Sequence, residues 1–199
     1  MGTRCSGLSR ATWVSDPNLD RLIRNAELQF AESQPGFSRT DAGARQVSRL
    51  KLETVSERLA SAAGVAAACQ AIQEIAANLV GCEQFAIVAL YPGVDVLAYC
   101  EIEPEALHGI SEHEMVARVI ETRVLWAVRP GTREYLNGHS VSACVPLLHH
   151  GRVAGVLVLF DLLPHKQTLE SCDLATLLYL QMYAASALGL GAPAAGGGQ

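Results

Sequence analysis

The residues of this sequence with the widest chemistry are its cysteines and histidines. Six cysteines lie far apart and form no Cys-X-X-Cys pair: Cys5, Cys69, Cys82, Cys100, Cys144 and Cys172. Zinc needs convergent ligands, whereas the neighbours His149 and His150 would point to opposite faces of a strand. A chain this long and apolar needs no disulfide staples, and its N-terminus lacks the apolar core of a secretory signal. We therefore expect free thiols, no metal site and a reducing, cytoplasmic location.

A second set of chemically capable residues lies in the middle of the chain. The run from residue 84 to residue 117 contains no lysine or arginine, and it carries Glu101, Glu103, His108, Glu112, His113 and Glu114. Glutamate and histidine bind cations, and His113 is a candidate pH sensor; the alternative is a solvated acidic loop. No Ser-His-Asp elbow, phosphate-binding glycine loop or HExxH helix is present. We therefore predict no catalytic residue and no cofactor.

Composition limits the classes of partner. Half of the residues are apolar and 18% are charged, so a large core is available and wholesale disorder is excluded. Residues 1–60 carry nine basic and seven acidic side chains, whereas residues 61–199 carry six and thirteen. An acidic globular part does not attract phosphate backbones, so we expect no nucleic acid partner. No unbroken apolar stretch reaches about eighteen residues, so we expect no membrane span.

Apolar periodicity predicts two N-terminal helices. The first begins at Asp16-Pro17 and ends before Gln34-Pro35-Gly36, and the second begins near Thr40 or Asp41. Positions in steps of three and four, as in a short coiled coil, form one apolar stripe on the second helix: Leu52, Val55, Leu59 and Ala62. We predict that this stripe is a dimerisation seam; the alternative is that it packs on its own domain.

From residue 81 onward the apolar period changes from helical to two, which predicts strands. A hairpin is predicted from the alternating residues 85–91 and 94–100. A short helix capped by Ser111 follows, and a loop is predicted over residues 129–138. Residues 141–148 and 153–162 predict a second hairpin that turns at Gly151, followed by a closing helix capped by Thr168. The last strand is apolar on both of its faces, so both faces need cover. These elements predict an α+β fold, with an antiparallel β-sheet, helices packed on one face and a long N-terminal helical segment.

Three stretches carry a resemblance to a known family. Residues 71–93 run from a helix through Gly-Cys directly into a strand, residues 143–165 contain the hairpin VPLLHHGRVAGVLVL, and residues 169–188 form the closing helix. In this order they resemble a GAF domain, a small-molecule-binding and dimerising module of signalling proteins. The resemblance covers about residues 66–190 and is a signature of the fold, with GAF/PAS-like architecture, and not of an active site.

The resemblance implies where function lies. In GAF domains the first and last helices pack on one sheet face and often form the dimer contact, while loops close a ligand pocket over the other face. Carried over by position, the pocket candidates are Tyr99, Glu101, Trp126, Arg129, Tyr135 and His139. The domain boundaries are then 1–14 for a disordered N-terminus, 15–64 for a helical dimerisation segment, 65–190 for the GAF domain and 191–199 for a disordered tail.

Features of particular GAF subtypes narrow the function. The chain lacks the Asn-Lys-Phe-Asp-Glu element of cyclic-nucleotide-binding members and has no Cys followed by His, as in bilin-binding members. We therefore predict a non-enzymatic, cytoplasmic regulatory or sensor protein that forms a homodimer and binds a small ligand or a signalling partner. One alternative is a thiol-dependent reductase of free methionine sulfoxide, with Cys100 or Cys144 as candidates. Another is a scaffold whose pocket is filled by its own side chains.

Overall fold

A β-rich middle is flanked by long helices. The computed structural model describes residues 17–33 and 42–191. The helices are α1 (Pro17–Ser33), α2 (Ala42–Ser61), α3 (Val65–Ile75), α4 (Glu114–Thr122) and α5 (Ser171–Ala187). The strands are β1 (Phe85–Ala89), β2 (Asp95–Cys100), β3 (Trp126–Ala127), β4 (Glu134–Leu136), β5 (His139–Val141), β6 (Ala143–His149) and β7 (Arg152–Leu159). A π-helical turn (Ala76–Val80) extends α3, and two 3-10 turns (Pro104–Leu107 and Ile110–Glu112) precede α4.

Some sequence predictions fall outside this range. The disorder predicted for residues 1–14 and for the tail beyond residue 191 lies outside the described residues, as do Asp16, the helix stop at Gln34 and the helix start at Thr40 or Asp41. Within the described ranges, no helix combines the length and the apolar character needed to cross a membrane.

Five strands form one antiparallel sheet in the order β2-β1-β7-β6-β3. The predicted β6–β7 hairpin is present and pairs His149 with Arg152. Its two turn residues, His150 and Gly151, both have positive φ (48° and 75°), which is the backbone shape that matches the twist of the two strands. The predicted α+β fold, with helices on one face of an antiparallel sheet, is confirmed.

Helix α5 is the centre of the helical layer. It packs on β6, and α1, α2 and α3 pack around it. Residues 172–180 are all buried, so the first half of α5 meets protein on every side. A helix that is apolar all round must be buried in this way.

The apolar stripe of α2 is used inside the chain. Leu52 and Val55 are 0% exposed and Leu59 is 6% exposed; all three belong to the core between the helices and the sheet, and Ala62 packs against its edge. The predicted seam on these residues is therefore covered by the chain's own helices, chiefly α5. The stripe correctly indicated a surface that needs cover, but the cover comes from the same chain.

Three local predictions need correction. Residues 129–138, predicted as a loop, lead into the small β4–β5 hairpin, because Asn137 and Gly138 take the positive φ of a tight turn (49° and 89°). Helix α4 begins at Glu114, after His113, so Ser111 does not cap it. Helix α5 is capped by Glu170 and not by Thr168, since the Glu170 side chain and the Asp173 side chain each bind the other residue's backbone N–H.

Candidate functional site

The sheet face away from the long helices is the expected ligand face, and it is filled by the chain itself. The covering segment runs from residue 102 to residue 141, and the Nδ2 of Asn137 ties it together by donating to the carbonyls of Ala106 (2.7 Å) and His108 (3.1 Å). Buried apolar side chains of the sheet meet buried apolar side chains of this segment: Val88, Cys144, Val156, Val158 and Phe160 from below, and Ile102, Leu107, Ile110, Val116, Val119, Leu136 and Val141 from above. The face where a ligand was expected is thus a second core.

The six pocket candidates differ in their surroundings. Tyr99, Glu101, Arg129 and Tyr135 are exposed, and the two tyrosines are about half exposed. The ring of His139 packs edge-on against Phe160, with ring centroids 6.1 Å apart and an angle of 75° between the planes. Trp126 is half-buried against the same core. Of the six candidates, Trp126 also lines a cavity.

That cavity lies between the start of α4 and the strands β3 and β4. Its volume is about 210 Å³, and it is lined by His113, Glu114, Met115, Arg118, Trp126 and Glu134. Glu114 and Arg118 are four residues apart on α4, so they share one helix face. The Nδ1 atom of His113 is shielded from solvent and has no hydrogen-bond partner within the described structure. Of the acidic run noted in the sequence, His113 and Glu114 therefore reach a cavity, whereas His108 and Glu112 are exposed elsewhere.

Sequence reasoning missed Arg118 and Glu134 as members of this cavity. They lie on different elements and meet only because β3 and β4 come back past the start of α4. The Asn137-Gly138 turn, which closes the β4–β5 hairpin, was the signal that could have placed Glu134 on a strand.

Comparisons with known proteins now bear on the fold. No protein-family model matches the sequence, and a search of curated proteins finds no match. Solved structures do match. The GAF domain of a phosphoenolpyruvate-protein phosphotransferase from Acinetobacter aligns with a TM-score of 0.52 and 16% identity, covering 74% of this chain and 98% of that one. The corresponding GAF domain from Coxiella burnetii aligns with a TM-score of 0.54 and 12% identity, covering 71% and 92%.

The described chain has the GAF fold. The resemblance inferred from residues 71–93, 143–165 and 169–188 is therefore confirmed at the level of architecture. At these identities the likeness concerns the fold, so the function has to be argued from the side chains.

On the helical face of this GAF fold, a buried carboxylate joins four segments. Asp173 is 0% exposed and accepts contacts from Lys51 Nζ (3.2 Å) and Lys166 Nζ (2.6 Å), while its Oδ2 also accepts the Glu170 N–H (2.7 Å). The two ammonium groups also donate to backbone carbonyls at the end of the π-helical turn, Lys51 to Leu79 (2.8 Å) and Lys166 to Val80 (2.6 Å). Burial lowers the pKa of Lys51, but the attraction of Asp173 and Cys172 outweighs it and leaves that pKa above its ordinary value.

This cluster is a structural anchor and not a metal site. Ligand atoms of Glu170, Cys172 and Asp173 lie within 4.8 Å of one another, which would suit a cation. However, both oxygens of Asp173 already accept from lysine ammonium groups, and these supply the positive charge that a cation would bring. The anchor fixes the start of α5 against α2 and the end of α3.

The thiols of this GAF fold are not activated. Burial raises the pKa of Cys82 and of Cys144 to about 12. The pKa of the half-buried Cys100 is raised by burial and by the nearby carboxylates of Glu101 and Glu83. The pKa values of Cys69 and Cys172 are raised as well, chiefly by burial. Because the thiolate is the nucleophile, none of the five described thiols is prepared for attack.

Proposed function

We propose that this chain is a non-enzymatic regulatory module of the GAF type that acts by binding another protein in signal transduction. The observation that supports it is the filled second core, in which residues 102–141 occupy the sheet face where a GAF ligand was expected. A face packed with the chain's own apolar side chains has no room for a nucleotide or a tetrapyrrole, since protein interiors are close-packed. This proposal keeps the regulatory role and the protein partner of the first function predicted from the sequence, and it takes the self-filled pocket from the scaffold alternative.

Native mass spectrometry of the purified protein tests this proposal. We expect the intact mass to equal that of the polypeptide alone, in one or two copies. Phe160→Ala serves as the matched variant, because it removes a large side chain from the second core and opens a space there. A stoichiometric molecule of nucleotide or tetrapyrrole size retained by the unaltered protein would contradict the filled-face proposal.

The thiol-dependent reductase finds no support in the described thiols. Such chemistry needs a thiolate near neutral pH, and Cys100 and Cys144 both have raised pKa values. We expect no NADPH consumption when the protein is supplied with free methionine sulfoxide and thioredoxin. Turnover that disappears in Cys100→Ser or Cys144→Ser would replace the regulatory proposal with the enzymatic one.

A homodimer remains part of the proposal, with a different contact from the α2 stripe. Helix α5 is covered in its first half, whereas Met182 and Tyr183 in its second half are exposed. The ring of Tyr183 packs at an angle of 36° against that of Tyr179, with centroids 4.5 Å apart. We expect light scattering to give a dimer mass that the double variant Met182→Glu, Tyr183→Glu converts to a monomer mass. A monomer in the unaltered protein would remove this part of the proposal.

The proposal keeps the cytoplasm as the expected compartment. The five described cysteines are free thiols, as suits a reducing compartment such as the cytoplasm. Labelling of free thiols in cell extracts prepared with and without reductant checks this. A protein recovered with disulfides would contradict it.

A further inference from the structure

We infer that the cavity between α4 and the strands β3 and β4 binds a small zwitterion of amino-acid size, with one ammonium and one carboxylate group. This site lies beside the filled second core, at its rim, so the inference goes beyond the proposed function and does not depend on it. Three features of the cavity lead to this ligand: its size, its unpaired charges and its aromatic wall.

The size of the cavity admits only a small molecule. Its volume is about 210 Å³. Pockets for drug-sized ligands have about 300–1,000 Å³. Below the cavity, Trp126 and Met115 pack on the second core, which leaves no deeper space along that side. A ligand must therefore be compact, with its polar groups close to its apolar part.

The charges around the cavity fit a zwitterion. Glu114, Glu134 and Arg118 line it, and within residues 17–33 and 42–191 none of the three forms an ion pair or a side-chain hydrogen bond. Glu114 and Arg118 are spaced to pair with each other on α4 but do not do so. Two carboxylates suit the hydrogen bonds of an ammonium group, and the guanidinium suits a carboxylate through two parallel bonds. One bound molecule that carries both charges would pair with all three of these exposed side chains.

The wall of the cavity adds a further contact. The half-buried indole ring of Trp126 lines the cavity, so an ammonium group bound there is stabilised by a cation–π interaction with the ring.

The test is a thermal-shift survey of the 199-residue chain with the standard L-amino acids and glycine betaine, followed by calorimetry. We expect at least one of these compounds to raise the melting temperature in a saturable way, because a ligand of the native state stabilises it. For the strongest binder, the amine that lacks its carboxylate and the acid that lacks its ammonium should each bind about tenfold more weakly or worse.

Substitutions at two exposed residues test which side chain binds the carboxylate of the ligand and which binds its ammonium group. Arg118→Gln should weaken the binding of the amino acid by about tenfold. The amino acid should then bind no more tightly than the amine that lacks its carboxylate. Glu134→Gln should weaken the binding of both the amino acid and the amine, because both compounds carry the ammonium group. Arg129→Gln, an exposed arginine outside the cavity lining, is the control and should change nothing.

Two results would overturn the site. One is a survey in which no compound shifts the melting temperature. The other is binding that Arg118→Gln and Glu134→Gln both leave intact, which places the ligand elsewhere. Either result leaves the proposed regulatory function in place, because that function depends on the filled face and not on this cavity.

Discussion

Both faces of the sheet are apolar, but they are covered in different ways. On one face, long helices pack around the buried α5 and are fixed by the Asp173 anchor. On the other, short elements between residues 102 and 141 make the cover, with left-handed backbone at Arg123 and Asn137. Both faces solve the same problem of excluding water, but only the second does so with loops.

The helical face is therefore suited to providing stability, and the loop face is suited to variation. Regular helices carry their own backbone hydrogen bonds, so their side chains are free to build a tightly fixed core. Loops depend on particular turns and side-chain bonds, such as those of Asn137, and they are where binding residues concentrate. The charged cavity at Trp126 lies on the loop side, as this division would predict.

The largest effect is expected at the anchor of the helical face. Asp173→Asn keeps the shape of the side chain but leaves Lys51 and Lys166 without their counter-charge, which should lower the free energy of unfolding by about 3–5 kcal/mol. Denaturant titration measures this. Glu74→Gln, which removes a carboxylate from the more exposed Arg58–Glu74 pair, is the control and should have little effect. Equal, small losses in both variants would mean that the anchor is not a source of stability.

A comparable loss is expected from the loop face if it is a true core. Phe160→Ala should cost about 3–5 kcal/mol, because Phe160 is fully buried and the loops cannot collapse completely into the gap. The resulting apolar cavity should bind benzene and recover part of the lost melting temperature. Tyr135→Ala, on the exposed rim, should change stability by about 0.5 kcal/mol or less. If Phe160→Ala behaved like Tyr135→Ala, the second core would be loose and the filled-face proposal would fail.

A smaller loss is expected on the α2 stripe. Leu59→Ala should cost about 2–4 kcal/mol, since Leu59 is buried within the chain. Its matched control on the same helix is Leu50→Ala, which is exposed and should have little effect. Light scattering should show the same mass for both variants. A loss of dimer mass in Leu59→Ala with an unchanged melting point would restore the seam first predicted from the sequence.

The smallest effect is a dependence on alkaline pH. The folded protein holds the pKa of Cys144 at about 12, above its ordinary value near 9, so the folded state keeps a proton that the unfolded state loses. The stabilisation is therefore complete below pH 9 and is lost as pH rises from 9 to 12. At pH 10 the loss is about 1.4 kcal/mol for this thiol.

The variant Cys144→Ala measures how much of the loss of stability at alkaline pH comes from the Cys144 thiol. Its stability should fall less between pH 8 and pH 10 than that of the unaltered protein, by about the same 1.4 kcal/mol. Thermal melts at the two pH values provide the measurement. Identical slopes for the two proteins would show that Cys144 is not the group responsible.

Much of the fold could be read from the sequence, for identifiable reasons. The β6–β7 hairpin was predictable because period-two apolar runs flank a turn at Gly151, and α5 was predictable from its apolar length. The stripe at Leu52, Val55 and Leu59 shows the limit: apolar periodicity says that a surface needs cover but not which chain supplies it. The capping of α5 was misplaced at Thr168 because Asp173 is drawn inward by two lysines, of which Lys51 lies far away in sequence and Lys166 lies just before the helix.

The candidate site was less predictable than the fold. Trp126 was selected from its position in the family pattern, and His113 and Glu114 from their chemistry. Arg118 and Glu134 could not be added, because short strands such as β3 and β4 give almost no periodic signal. The exposed positions of Arg129 and Tyr135 have the same origin, since the covering segment folds inward with its aliphatic residues and leaves its polar ones outside.

The enclosure of α5 has a practical consequence for anyone who trims this protein. A shortened version that begins at Val65 keeps every strand and the closing helix, and by alignment it looks like a complete unit. It would nonetheless strip Leu174, Leu177 and Leu178 of neighbours and leave Asp173 with one lysine in place of two. Such a fragment should precipitate, so the first two helices belong in any expression plasmid.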